Sequence, residues 1–78
     1  MSAPRIVPVP VESSLLVSIA YDAGCCNLQL EFCSVAVYQY FEVPPAIYNQ
    51  LLAAGSKGGY FNDFIRDRFP YSQIRPPR

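Results

Sequence analysis

The chain has no histidine and no tryptophan among its 78 residues, and only 15% of those residues are charged. Without histidine, proton transfer near neutral pH falls to Asp, Glu, Tyr, Lys or Cys, each needing a strongly shifted pKa. Neither Asp63 nor Asp67 has a partner spaced for paired-carboxylate chemistry. Three cysteines, Cys25, Cys26 and Cys33, do not make the four-ligand pattern of a structural zinc site. No base is spaced to activate any of them as a nucleophile. The odd cysteine count also argues against a disulfide framework, so the thiols read as reduced and the protein as cytoplasmic. If Cys25 or Cys26 sits on an exposed turn, it is open to adventitious intermolecular oxidation. No basic segment is followed by an apolar leader run, so no signal peptide is expected. No apolar stretch is long enough to cross a bilayer, and no membrane role is expected. These absences point away from an enzyme, a cofactor or a metal, and toward a protein that works by binding another macromolecule.

Apolar residues make up 51% of the chain, and eleven residues are aromatic, six Tyr and five Phe. Large rings bury much area per residue, which matters for a domain near the lower size limit of unaided folding. The charge content lies well below the ~25% of ordinary domains. A surface so poor in charge is prone to association, which raises a homodimer or a partner-covered face. The alternative is a surface made mainly of Ser, Gln, Asn and Tyr. Net charge is zero, so there is no blanket attraction to nucleic acid. The charges are unevenly placed, however. Residues 1–56 hold Arg5 against four carboxylates, whereas residues 57–78 hold five cations against two carboxylates. The C-terminal third is therefore the basic part.

Three prolines in residues 1–10 predict an extended arm. Residues 72–78 end in Pro-Pro-Arg and read as a flexible basic tail. Between them, period-two alternation puts Leu15, Val17, Ile19 and Tyr21 on one strand face, with Ser18 and Ala20 on the other. Asp22-Ala23-Gly24 is a turn signal. Leu28, Leu30 and Phe32 then alternate with Gln29 and Glu31, the mark of a half-buried antiparallel strand. Residues 35–41 are rich in β-branched and aromatic side chains and predict a third strand. Pro44 and Pro45 stop that strand and favour a helix start. A helix is expected over 45–54, with Ile47, Tyr48, Leu51 and Leu52 as its apolar stripe and Gly55 as its C-cap. A second helix is expected over 60–69, carrying Phe61, Phe64, Ile65 and Phe69. The reading is an α+β fold: a three-stranded antiparallel meander followed by a helical hairpin on one sheet face. The other face is expected to be open, or covered by the N-terminal arm or a second subunit.

Several residues together carry a resemblance. Val11, Ser13 and Ser14 precede the first strand and Tyr21-Asp22 ends it. Leu28, Leu30 and Phe32 follow, then Tyr38, Tyr40, Val43 and Pro44, then Tyr48, Leu51 and Ala54. The most specific run is Ser56-x-Gly58-x-Tyr60-Phe61-Asn62-x-x-Ile65-Arg66. Over residues 11–71 the chain resembles the KTSC domain, a module named for its occurrence at the C-terminus of some lysyl-tRNA synthetases and also found as a stand-alone protein. The resemblance implies the α+β fold and, by association with a tRNA-handling enzyme, contact with RNA or a nucleoprotein. Two features depart from the family pattern. The turn before the third strand holds Ser34-Val35-Ala36 where the family tends to have Gly. Because valine disfavours positive φ, a wider or bulged hairpin is expected. The Cys25-Cys26 pair also lies outside the pattern.

Three constellations are candidates for binding. Ser56-Lys57-Gly58-Gly59 precedes a helix, where free N–H groups, the helix dipole and Lys57 suit an anion. The rival reading makes Ser56 a helix cap and the glycines a sharp turn; the P-loop spacing is absent. Tyr60 follows in the same run. Asn62 and Arg66 share a helix face, with Arg68 nearby. They either reach a partner or, for Arg66, pair with Asp63 or Asp67. Tyr38 and Tyr40 share a strand face and are either a stacking platform for bases or part of the core. The leading expectation is recognition of RNA or a nucleoprotein complex. A second is a protein-directed inhibitor carried by a phage or mobile element, of the anti-CRISPR kind, that occludes a host protein–nucleic-acid complex. A third is a homodimeric structural protein.

Overall fold

The computed structural model describes residues 8–77. Seven elements follow one another: β1 (Val9–Pro10), β2 (Leu16–Asp22), β3 (Asn27–Phe32), β4 (Val37–Tyr40), α1 (Pro45–Ala53), α2 (Lys57–Phe64) and β5 (Tyr71–Arg75). The fold is α+β, as the alternation predicts, but the sheet has five antiparallel strands in the order β1-β2-β3-β4-β5, not three. The meander β2-β3-β4 is the expected one. Two short edge strands complete it, one from each end of the chain.

Both additions correct the sequence reading. The end of the proline-rich arm lies at the edge of the sheet, not across its face, with Val9 opposite Ile19 and Pro10 opposite Ser18. Residues 1–7 of that arm lie outside the described residues. The segment expected as a flexible tail is largely β5: Tyr71 stands opposite Tyr40, Ser72 opposite Gln39 and Gln73 opposite Tyr38. Every residue of β5 is exposed, so it has no apolar alternation to betray it.

The first strand changes phase. A β-bulge falls between Leu16 and Ser18, where Val17 is the extra residue. Leu16 and Ile19 are therefore both buried while Val17 is 43% exposed, which corrects the regular alternation expected through Val17. After the bulge, Ile19 and Tyr21 join Leu28, Leu30, Tyr38 and Tyr40 on the face that carries the helices. The opposite face presents Ser18, Gln29, Glu31, Gln39 and Ser72. There Ser18 donates to Glu31, and Arg75 pairs with Glu31 at 3.0 Å.

Two aromatic side chains, one from each helix, fix the helices to the sheet. The Tyr48 ring of α1 stacks on Tyr21 of β2, with centroids 4.6 Å apart and planes 12° apart. The Tyr21 hydroxyl also donates to the Val43 carbonyl, just before α1 starts. From α2, Phe61 inserts its ring edge-on between Phe32 and Tyr40, at 5.3 and 5.7 Å. Leu16, Ile19, Leu28, Leu30, Val43, Leu51 and Ile65 fill the space beneath and are almost wholly buried. Burying a Leu or Ile side chain contributes about 1.5–3 kcal/mol, so these few residues are the main source of stability in a chain this short.

Both helices are shorter than expected. α1 ends with Ala54 as an extended C-cap, not Gly55, and the Ala54 N–H donates to the Leu51 carbonyl. α2 ends at Phe64. The N–H groups of Ile65 and Arg66 both donate to the Phe61 carbonyl, and Asp67 adopts φ 61°. A left-handed residue there cannot continue a helix, so Arg66, Arg68 and Phe69 lie on a turn leading to Pro70. Among the described residues no helix is long and apolar enough to cross a membrane.

Candidate functional site

A groove of about 360 Å³ opens on the helix-bearing face of the sheet, where α2 stops short of covering β4 and β5. Its floor is aromatic. Tyr38 and Tyr40 point up from β4, Tyr71 from β5 and Phe32 from β3, while Phe61 of α2 closes the inner side. The rings touch as a cluster: Tyr71 lies 5.7 Å from Tyr38 and 5.6 Å from Tyr40, and Phe32 meets Tyr38 edge-on at 5.6 Å. Exposure grades across this floor. Tyr40 is 5% exposed and belongs to the core, Tyr38 is half-buried, and Tyr71 is 57% exposed. The β-strand pleat explains why Tyr38 and Tyr40 share a face. The pairing of β5 with β4 then brings Tyr71 directly beside Tyr40.

Polar groups gather on one wall only. Asn62, on α2, and Arg66 and Asp67, on the turn that follows, all line the groove and are exposed. Among the described residues, the side chains of Asn62 and Arg66 have no hydrogen-bond or ion-pair partner, and Arg66 does not pair with Asp63 or Asp67. Tyr38 is partly engaged: its hydroxyl accepts from the Gln73 amide at 3.1 Å. Burial, reinforced by the neighbouring Tyr71 and Tyr38 phenols, pushes Tyr40 up to about 12. Tyr40 therefore stays a neutral phenol throughout the neutral range. The remaining lining comes from Leu15, Ser34 and Ala36, and from Pro77, which the chain carries past β5 to the rim.

The predicted site residues separate into two groups. Tyr38, Tyr40, Asn62 and Arg66 come together in the groove. Ser56, Lys57, Gly58 and Tyr60 are instead built into the joint between the helices. The Ser56 hydroxyl accepts from the Gly59 N–H at 3.2 Å and caps α2. The Lys57 ammonium donates to the Ala54 carbonyl at 3.1 Å, satisfying an acceptor at the end of α1. Gly58 lies so close to β2 that an added Cβ would stand 3.2 Å from that of Leu15. Tyr60 donates to the Gln50 side chain at 2.7 Å and so ties α2 to α1. Arg68 is exposed and does not line the groove. Sequence reasoning missed Tyr71 as a site residue. Its only signal was an aromatic just after Pro70 in a short stretch compatible with a strand.

The cysteines lie on hairpin turns. Cys25 is exposed in the β2–β3 turn, where a hydrogen bond to Asp22, then burial, pushes its thiol up. A reactive thiol needs the opposite shift. Cys26 is half-buried beside Tyr21, whose phenol is raised to about 12 by burial first and by Cys26 second. Cys33 is exposed at the other end of β3, in the β3–β4 turn. No group of three or more potential metal ligands occurs among the described residues.

The geometry defines a small α+β module that presents an aromatic groove on a sheet edge. The chain belongs to the KTSC domain family, whose sequence profile matches residues 12–69. It is 40% identical over 63 residues to the lysine–tRNA ligase of Nostoc punctiforme, covering 81% of this chain but only 11% of the ligase. It is 43% identical over 60 residues to a protein of Tsukamurella paurometabola, covering 77% of this chain and 90% of that one. Among solved structures, a KTSC domain protein from Yersinia pestis superposes with a TM-score of 0.88 at 33% identity, over 90% of this chain and 99% of that one. The module thus occurs within lysine–tRNA ligases and also as most of a shorter protein.

Proposed function

We propose that this module binds single-stranded RNA, alone or within a nucleoprotein, through the groove between α2 and the β4–β5 edge. The observation that carries the reading is the meeting of two accessible tyrosine rings, Tyr38 and Tyr71, with the side chains of Asn62 and Arg66, which have no partner among the described residues. Aromatic faces stack unpaired bases whatever their sequence, at about 1–3 kcal/mol per base. An amide can both donate to and accept from a base edge, and a guanidinium can hold a phosphate. Relatives that carry the module are named lysine–tRNA ligase, which supports an RNA partner by association. The groove offers no arrangement of acid, base and nucleophile, so binding is the activity it suits.

Fluorescence polarisation with a labelled tRNA and with single-stranded RNA, at about 50 mM salt so that phosphate contacts count, tests the reading. Saturable binding that weakens in Tyr71→Ala and Arg66→Gln is expected. Absence of binding to either RNA at tens of micromolar protein would remove it.

A further inference from the structure

We infer that the groove holds one unstacked nucleotide, not a run of them, so that the ligand is an RNA end or a bulged loop base. The inference rests on the reading of the groove as an RNA site and goes on to its capacity. At about 360 Å³ the groove lies near the lower end of the ~300–1,000 Å³ found for small-molecule sites. Modules that track a strand offer a long cationic channel and cover ~4–16 nucleotides. Among the described residues Arg66 is the one cation that lines the groove, and Asp67 stands beside it. Within that described lining a second phosphate following the first would find no positive partner. The rest of the lining, Leu15, Ser34, Ala36 and Pro77, carries no charge. Tyr38 and Tyr71 are tilted 48° to one another, so a single base lying flat on one ring meets the other at a slant, and two stacked bases cannot lie flat on both. Asn62 is then the group that reads the base edge, and Arg66 the group that holds its phosphate.

Affinity in such a site comes from stacking, so it is nearly independent of ligand length and only weakly dependent on salt. One phosphate contact to a single strand predicts about a threefold loss of affinity between about 50 and 200 mM salt, against about fiftyfold for four contacts. The test is an NMR titration of the isotope-labelled chain with unlabelled RNA dinucleotide, tetranucleotide and octanucleotide at both salt concentrations. The expected result is shifts at Asn62, Arg66 and Tyr71 for all three ligands. Affinities should agree within the severalfold statistical gain of the longer strands, with the shallow salt dependence. Tyr71→Phe should retain binding and Tyr71→Ala should lose about tenfold, the energy of one stacked base. Affinity that climbs steeply with length and falls steeply with salt would overturn the single-nucleotide inference and leave RNA binding standing. Silence of the groove toward every oligonucleotide would overturn both. Shifts caused there by a proline-rich peptide and by no RNA would do the same, and would hand the groove to a protein partner.

Discussion

Among the described residues, four other than glycine adopt positive φ, and each sits where the chain must turn: Cys26, Val35, Glu42 and Asp67. Val35 is the most costly, since a β-branched side chain is crowded in the left-handed region. The β3–β4 hairpin does not widen to spare it. The Phe32 N–H donates to the Ala36 carbonyl, the Val35 N–H donates to the Phe32 carbonyl, and Val35 takes φ 62°. This is the three-residue loop whose last position normally belongs to Gly. The departure from the family pattern was therefore visible in the sequence, but the chain absorbs it as backbone strain. The left-handed conformation costs about 1–2 kcal/mol for an L-residue. Val35→Asn, which tolerates that conformation without glycine's loss of backbone entropy, should raise stability by about 1 kcal/mol. Urea denaturation checks this; a lower midpoint with unchanged slope would show that the Val35 side chain contributes more than its backbone costs.

At the scale of elements, legibility follows burial. β3 was readable because Leu28 and Leu30 are fully buried while Gln29 lies on the other face. The ends of β2 and α2 were not. Val17 breaks the alternation through a bulge that no single residue announces, and Phe69 lies at helical spacing although Asp67 has already turned the chain. β5 was hidden because an edge strand needs only backbone partners, and its side chains face solvent. The same rule divides the candidate site: Tyr38 and Tyr40 were visible as a strand pair, whereas Tyr71 depended on knowing what pairs with β4. The joint between the helices offers a direct comparison. Ser56→Ala removes the cap of α2 and should cost about 1 kcal/mol while leaving groove affinity unchanged. Gly55→Ala should instead stabilise the protein by about 0.4–1 kcal/mol, because Gly55 has no positive φ and open space around it. Thermal unfolding of the two variants should move in opposite directions. A stability gain in Ser56→Ala, or RNA binding lost with it, would contradict the placement of this loop in the scaffold.

For the molecule as a whole, the half-buried phenol of Tyr21 and the buried one of Tyr40 set a limit at alkaline pH. Tyr21 and Tyr40 keep their protons up to about pH 12 in the fold, against an ordinary value near ~10 in the unfolded chain. Between those values the folded state binds more protons than the unfolded one, so stability is complete below about 10 and falls as pH rises toward 12. Denaturant midpoints measured across pH 8 to 12 should be flat and then decline, with part of the decline absent in Tyr40→Phe. A flat profile throughout would show that neither phenol is held as described.

The strand contributed last by the chain has a practical consequence for anyone dissecting this family. The family match stops at residue 69, yet Tyr71 and its pairing with β4 lie beyond it. A fragment cut at the profile boundary would keep Leu16, Ile19, Leu30, Leu51 and Ile65 and so its hydrophobic interior. It would lose Tyr71 from the floor of the groove, so circular dichroism should report a folded domain while RNA titrations, on the proposed reading, should report an inert one.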